Sequence, residues 1–209
     1  MRTRVKICGI TRKRDAQLVV DAGVDAIGLV FYEKSPRFVS NVKAADICRM
    51  IPAFVSRVAL FKDADKGFVQ SVLQQVEIDL IQFHGSESVT FCEQFGRPYI
   101  KALGMKSKDR DINYLSESAE KYASAKALLL DAHAPGEAGG TGDTFDWSSV
   151  SSVAGSMEMP IVLAGGLSVE NVQQAIQIVR PYAVDVSSGV ESSPGLKDKD
   201  KVAAFMQQV

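Results

Sequence analysis

Short, predominantly apolar runs alternate with amphipathic stretches from one end of this chain to the other. The runs are Val5–Cys8, Ala26–Phe31, Phe54–Phe61, Leu80–Phe83, Pro98–Leu103, Ala127–Leu130, Pro160–Ala164 and Tyr182–Val186. Apolar residues at successive positions mark strands with protein on both faces, as in a parallel sheet. Between them the spacing predicts helices over Arg12–Ala22, Asn41–Met50, Asp65–Val76, Ser88–Phe95, part of Asp111–Tyr122, Phe145–Val153, Ser168–Val179 and Asp198–Gln207. Thr11 and Ser168 are expected to cap the first and seventh helices, and Asp143 or Thr144 the sixth.

Eight strand–helix units in one chain imply right-handed βαβ crossings and favour a closed (β/α)8 barrel over an open sheet. The 209 residues form one domain, 1–209, near the short limit for such a barrel. Connections on the non-functional face must therefore be tight.

Composition narrows the function only by exclusion. A 46% hydrophobic, 23% charged chain with a formal net charge of −1 gives no reason to expect nucleic acid or a membrane surface as a partner. With neither a signal peptide nor a bilayer-length apolar run, a cytoplasmic location is expected. Cys8, Cys48 and Cys92 are odd in number and lack a CxxC pair. That argues against a disulfide framework, a zinc site or an iron–sulfur cluster. Cys48 and Cys92 fall inside helices and read as small apolar filler.

Active sites of such barrels lie at the C-terminal ends of the strands. Reading off those ends gives Cys8, the loop 33–37 with Arg37, His84, Asp131, Ala164-Gly165-Gly166, and Asp185 with Ser187-Ser188-Gly189. Loops after strands seven and eight commonly bind phosphate through bare backbone N–H groups, and Gly165, Gly166, Ser187, Ser188 and Gly189 suit that task. Gly140, Thr141 and Gly142, in a loop after strand six that carries four glycines, close a third side. The ligand should carry a terminal phosphate. Cys8 and Asp131 flank the mouth. A thiol of lowered pKa serves as base or nucleophile, and a carboxyl raised by burial or by a neighbour such as Asp185 serves as general acid. Arg37, on a loop stiffened by Pro36, suits a carboxylate or an aromatic face. His84 either hydrogen-bonds the ligand or orients a loop.

Lys6-Ile-Cys-Gly-Ile-Thr11, Lys34-Ser-Pro-Arg37, Gln82-Phe-His-Gly85 and Leu130-Asp131 come first in a set of motifs that runs the length of the chain. It continues through Gly139-Gly-Thr-Gly142, Phe145-Asp-Trp147, Leu163-Ala-Gly-Gly-Leu167 with Asn171-Val172, and Val184-Asp-Val-Ser-Ser-Gly-Val-Glu191 with Pro194-Gly195. In this order the set resembles phosphoribosylanthranilate isomerase. The resemblance implies an Amadori rearrangement in tryptophan biosynthesis, from N-(5-phosphoribosyl)anthranilate to 1-(2-carboxyphenylamino)-1-deoxyribulose 5-phosphate, with no cofactor and no metal. It also implies Asp131 as general acid at the furanose ring oxygen and Cys8 as general base at ribose C2. Arg37 would contact the anthranilate, His84 and Asp185 the substrate, and the glycine and serine loops the 5-phosphate. Ala59 stands where the family often has glycine, and Phe83 where leucine is usual; tuning of substrate fit is expected from both.

Two rivals stand beside it. The related isomerase of histidine biosynthesis would use two aspartates, which Asp131 and Asp185 supply on paper; Cys8 argues against it. A non-catalytic ligand-binding barrel would not need both proton-transfer groups. A monomer and a homodimer are equally compatible with the sequence.

Overall fold

The apolar runs pair into one closed sheet. The structure, a computed structural model, describes residues 2–106, 110–132, 145–154 and 157–209. Eight parallel strands close in chain order: β1 (Arg4–Cys8), β2 (Ala26–Val30), β3 (Ser56–Phe61), β4 (Leu80–Phe83), β5 (Tyr99–Gly104), β6 (Ala127–Asp131), β7 (Ile161–Leu163) and β8 (Ala183–Val186). Helices α1 (Lys13–Asp21), α2 (Asn41–Cys48), α3 (Lys66–Gln75), α4 (Val89–Glu93), α5 (Ile112–Lys121), α6 (Ser148–Ala154), α7 (Val172–Val179) and α8 (Lys199–Gln207) alternate with them. The (β/α)8 barrel read from the sequence is the architecture observed. No helix among the described residues is long and apolar enough to cross a membrane.

Boundaries differ where a side chain has other work. β3 begins at Ser56, not Phe54, whose ring is 99% exposed. Thr11 does not cap α1; its hydroxyl donates to Gly195 O at 2.6 Å, and Arg12 takes the cap position. Ser168 does not cap α7, which starts four residues later behind Asn171. Asn171 Oδ1 instead accepts from the Ser168 N–H at 2.8 Å, while its Nδ2 donates to Gly166 O at 2.9 Å, so this side chain shapes the loop after β7. Ser40, Asp65, Ser88, Asp111 and Asp198 do cap their helices, each satisfying a backbone donor that the first turn leaves free. The cap expected at Asp143 or Thr144 lies outside the described residues.

The pattern also hid a hairpin, β9 (Glu191–Ser193) with β10 (Leu196–Lys197), turned at Gly195 with φ +81°. It lies between β8 and α8, and Thr11 and Asp15 tie it to the first βα loop and to α1.

Alternation along the strands separates two apolar layers. The larger fills the space between barrel and helices, with Phe31 stacked on Phe61 at 5.5 Å and Phe83 packed among Phe91, Phe95 and Tyr99. A smaller one, Ile100, Ala102, Ala127, Leu129, Val162, Ala164 and Ala183, fills the lumen beside β5 to β8. Above and beside this plug the inward positions turn polar, and there the cavity opens.

Candidate active site

The cavity at the C-terminal ends of the strands encloses about 920 Å³, counting the part open to solvent. Its wall includes Cys8, Arg37, Gln82, His84, Asp131 and Asp185, together with the loop residues Gly165, Gly166, Ser187 and Ser188. All of these except Gln82 stand among the strand-end residues named from the sequence, and the structure brings them round one cavity. Gly189 is not part of the wall; a Cβ there would stand 2.0 Å from Leu167 O, so glycine is needed for the close pass of the β8 loop by the β7 loop. Gly140, Thr141 and Gly142 lie outside the described residues.

Cys8 ends β1 with its side chain turned inward, two residues above Lys6. Cys8 pairs in register with Gly28 of β2. A Cβ at Gly28 would stand 2.6 Å from the Cys8 sulfur and 3.0 Å from Lys6 Nζ. The sulfur and the ammonium therefore share the space a side chain would fill. Lys6 Nζ donates to both carboxylate oxygens of Asp185, at 2.9 Å each, and its charge bears on the Cys8 sulfur. Burial pushes the Cys8 thiol up, and the neighbouring Asp185 adds to this; Lys6 and Lys197 pull the other way. Burial opposes the Lys6 charge too, but Asp185 and Cys8 outweigh it and raise its pKa. Asp185 is raised by burial, with Lys6 offsetting part of the rise. From sequence, Asp185 is expected as a substrate contact and as a charge bearing on Asp131. The structure gives its oxygens to Lys6, with Asp131 near enough to act on it electrostatically.

Across the mouth, Asp131 closes β6, 8% exposed. His84 Nε2 lies 3.1 Å from its Oδ2, and His84 Nδ1 lies 2.8 Å from Gln82 Nε2. The histidine thus orients a carboxylate, a partner that neither the ligand-contact nor the loop-orienting reading named.

Arg37 is buried, not solvated. Its Nε donates to Glu191 Oε1 at 2.9 Å and its Nη2 to Oε2 at 2.7 Å. Lys197 Nζ donates to the same Oε1 at 2.8 Å and to Ser187 O at 3.1 Å. Burial would raise the Glu191 carboxyl, but Arg37 and Lys197 together hold it below the usual carboxylate range. Gly9, at φ +78°, makes this packing possible, because a Cβ there would meet Arg37 Cδ at 2.5 Å. Any ligand contact by Arg37 falls to the donors that Glu191 leaves over.

Gly165 and Gly166 both have positive φ, +78° and +65°. A Cβ on Gly165 would stand 2.2 Å from Ala132 N, so the β7 loop packs directly on the residue after Asp131. The Ser187 hydroxyl donates to Cys8 O at 3.1 Å. A phosphate here would be met mainly by backbone N–H groups. Cys48 and Cys92 are buried free thiols, each pushed up to about 12 by burial. No cluster of three or more His, Cys, Asp or Glu among the described residues is placed to hold a metal ion.

The sequence reading missed Lys6, Gln82, Glu191 and Lys197. Lys6 and Gln82 carried a signal, since each is a polar residue inside an otherwise apolar strand, which a fully covered strand does not tolerate without a buried partner.

Residues 5–208 match the family model described as N-(5'-phosphoribosyl)anthranilate (PRA) isomerase. The N-(5'-phosphoribosyl)anthranilate isomerase of Azotobacter vinelandii is 50% identical over 206 residues, covering 99% of this chain and 97% of that protein. Among solved structures, phosphoribosyl anthranilate isomerase from Thermotoga maritima superposes with a TM-score of 0.88 at 40% identity, covering 99% of this chain and 98% of that one. An isomerase in complex with reduced 1-(o-carboxyphenylamino)-1-deoxyribulose 5-phosphate superposes with a TM-score of 0.85 at 39% identity, over 99% and 98% of the two chains.

Proposed function

Because the chain belongs to the N-(5'-phosphoribosyl)anthranilate isomerase family, we propose that its cavity performs that Amadori rearrangement with Asp131 as general acid and Cys8 as general base. The chain is an isomerase of tryptophan biosynthesis; its substrate is N-(5-phosphoribosyl)anthranilate. The acid–base assignment is carried by one observation: Cys8 and Asp131 end strands β1 and β6 and line one cavity, each with its own polar support.

Asp131 gives a proton to the furanose ring oxygen, the C1–O bond breaks, and the aniline nitrogen lone pair forms the Schiff base. Cys8, as thiolate, then removes the proton from C2, and the electrons move toward nitrogen to give the enolamine, which tautomerises to the ketone. Burial disfavours the thiolate at Cys8; Lys6 offsets part of that effect. The 5-phosphate is taken by the turns at 165–166 and 187–188, together with Gly140, Thr141 and Gly142. Arg37 faces the anthranilate. His84 and Asp185 act through Asp131 and Lys6 more than on the substrate itself.

The test is fluorescence-monitored turnover of freshly generated phosphoribosylanthranilate by wild-type protein, Cys8→Ala and Asp131→Asn. Turnover in wild type that is lost in both variants, with product affinity retained in Asp131→Asn, is the expected result. Near-normal turnover by either variant removes that residue from its role. No turnover by folded wild type, with conversion of the histidine-pathway aminoaldose, would move the assignment to that reaction.

A further inference from the structure

A cycle run in this way leaves the acid spent. Asp131 has given up a proton to the ring oxygen, Cys8 holds the one from C2, and Asp131 must be recharged before it acts again. Its side chain is 11% exposed, whereas that of His84, whose Nε2 sits 3.1 Å away, is 23% exposed. The other ring nitrogen meets Gln82, which is fully buried. Gln82 presents a peculiarity: its Oε1 is buried with no hydrogen-bond partner among the described residues. A buried amide oxygen left unpaired is costly, and a second arrangement that uses it would remove that cost.

We infer that Gln82 is a positioning residue whose amide switches with the protonation of His84, and that His84 returns the proton to Asp131. This rests on the acid role of Asp131. In the first state Gln82 Nε2 donates to the bare Nδ1 of neutral His84, and His84 Nε2–H donates to the Asp131 carboxylate. When His84 takes a proton from solvent, Nδ1 becomes a donor. A half-turn of the amide then brings the unused Oε1 round to accept it. The imidazolium passes its Nε2 proton to Asp131, leaving a carboxylic acid and a neutral ring protonated on Nδ1. Once Asp131 is spent again, Nε2 takes a proton from water as Nδ1 releases one and the amide turns back, while Cys8 returns the C2 proton to water. One proton enters from water and one reaches Asp131, so charge balances. An amide serves both states of Nδ1; an apolar side chain serves neither, and a carboxylate only the protonated one.

Asp185, itself paired with Lys6, bears on His84 electrostatically from β8, and Cys8 and Lys62 line the same cavity from the ends of β1 and β3. Lys101 and Glu87 pair at 3.0 Å on the other side of the β4 loop, with Lys101 donating to Gly85 O.

The chain has two histidines, His84 and His133, so nitrogen NMR of histidine-labelled protein resolves the ring directly, with His133→Asn giving the assignment. With Asp131 ionised, wild type should show neutral His84 protonated at Nε2, and Gln82→Met a mixture of tautomers. Gln82→Glu keeps the size of the side chain and, as an acceptor only, should hold His84 protonated on Nδ1. Gln82→Met and His84→Ala should lower kcat roughly tenfold or more with little change in KM. Added imidazole should restore His84→Ala in proportion to the imidazolium present. An unchanged tautomer and kcat in Gln82→Met, or no response of His84→Ala to imidazole, overturns the inference. Full activity of Asp131→Asn would overturn the acid assignment instead, so the two failures are distinct.

Discussion

Lys6 reaches across the seam between β1 and β8 to hold Asp185 by both carboxylate oxygens, 2.9 Å from each, with the Cys8 sulfur beside the same ammonium. The pair is in register, Lys6 opposite Asp185 in the parallel ladder. The seam that closes the barrel therefore also sets the charge next to the base. Removing Lys6 alone would leave a buried carboxylate and a buried thiol without their cation.

Lys6→Met is expected to push the Cys8 thiol further up, since Lys6 is the principal influence lowering it against burial. The rate of Cys8 alkylation by iodoacetamide, followed against pH by mass spectrometry of the Cys8 peptide, reads this directly. Cys48 and Cys92, at about 12, should react little over the same range. An alkylation profile identical to wild type would mean that Lys6 does not act on the thiol. The variant should also lose about 3–5 kcal/mol of stability, as when one partner of a buried pair is removed. Lys6→Met with Asp185→Asn should recover part of that loss, and urea unfolding measures both.

Gly28→Ala places a methyl carbon 2.6 Å from the Cys8 sulfur. The strand on either side is buried, so the thiol must turn away, not the backbone. Turnover should fall by roughly tenfold or more, because a displaced base loses its reach to the substrate. Activity near that of wild type would show that the sulfur has room to spare.

Gly165→Ala should be costlier for stability than for substrate affinity. A residue with a side chain at φ +78° is strained, and the added carbon would press on Ala132 N at 2.2 Å. A loss of roughly 2 kcal/mol or more in urea unfolding is expected. A stability within about 0.5 kcal/mol of wild type would mean that the loop relaxes freely.

Glu191 links Arg37 and Lys197, and its carboxyl is held below 4.5 in the folded state. A carboxyl depressed on folding adds stability above its unfolded value, and loses it as pH falls through the folded one. The stability gap between wild type and Glu191→Gln should therefore be full near neutrality and shrink below about pH 4.5. Chemical unfolding at pH 7 and at pH 4 tests the sign; a gap that widens in acid contradicts it.

Much of this molecule was legible because burial on both faces writes a strand as a plain apolar run, and eight such runs leave little choice of topology. Strand ends then located Cys8, His84 and Asp131 without further information. What the pattern hid was pairing across the closed sheet. Nothing local in Val5-Lys6-Ile7 reveals that the lysine meets a carboxylate 179 positions away, nor that Arg37 is buried against Glu191. The β9–β10 hairpin escaped for another reason: strands of three and two residues are shorter than any hydrophobic period can register. Thr11 and Ser168 misled as caps because each has a local hydrogen-bonding environment set by a loop from elsewhere in the chain.

The polar residues under the mouth belong to the staves of the barrel, not to its loops. Lys6, Gln82 and Asp185 sit within strands, one inward position below Cys8, His84 and the β8 turn. Exchanging loops between barrels of this kind would carry over the visible contacts and leave these three behind. A transplanted mouth would then rest on a floor built for another chemistry. For this scaffold the unit of inheritance is the loop together with the two last inward residues of its strand.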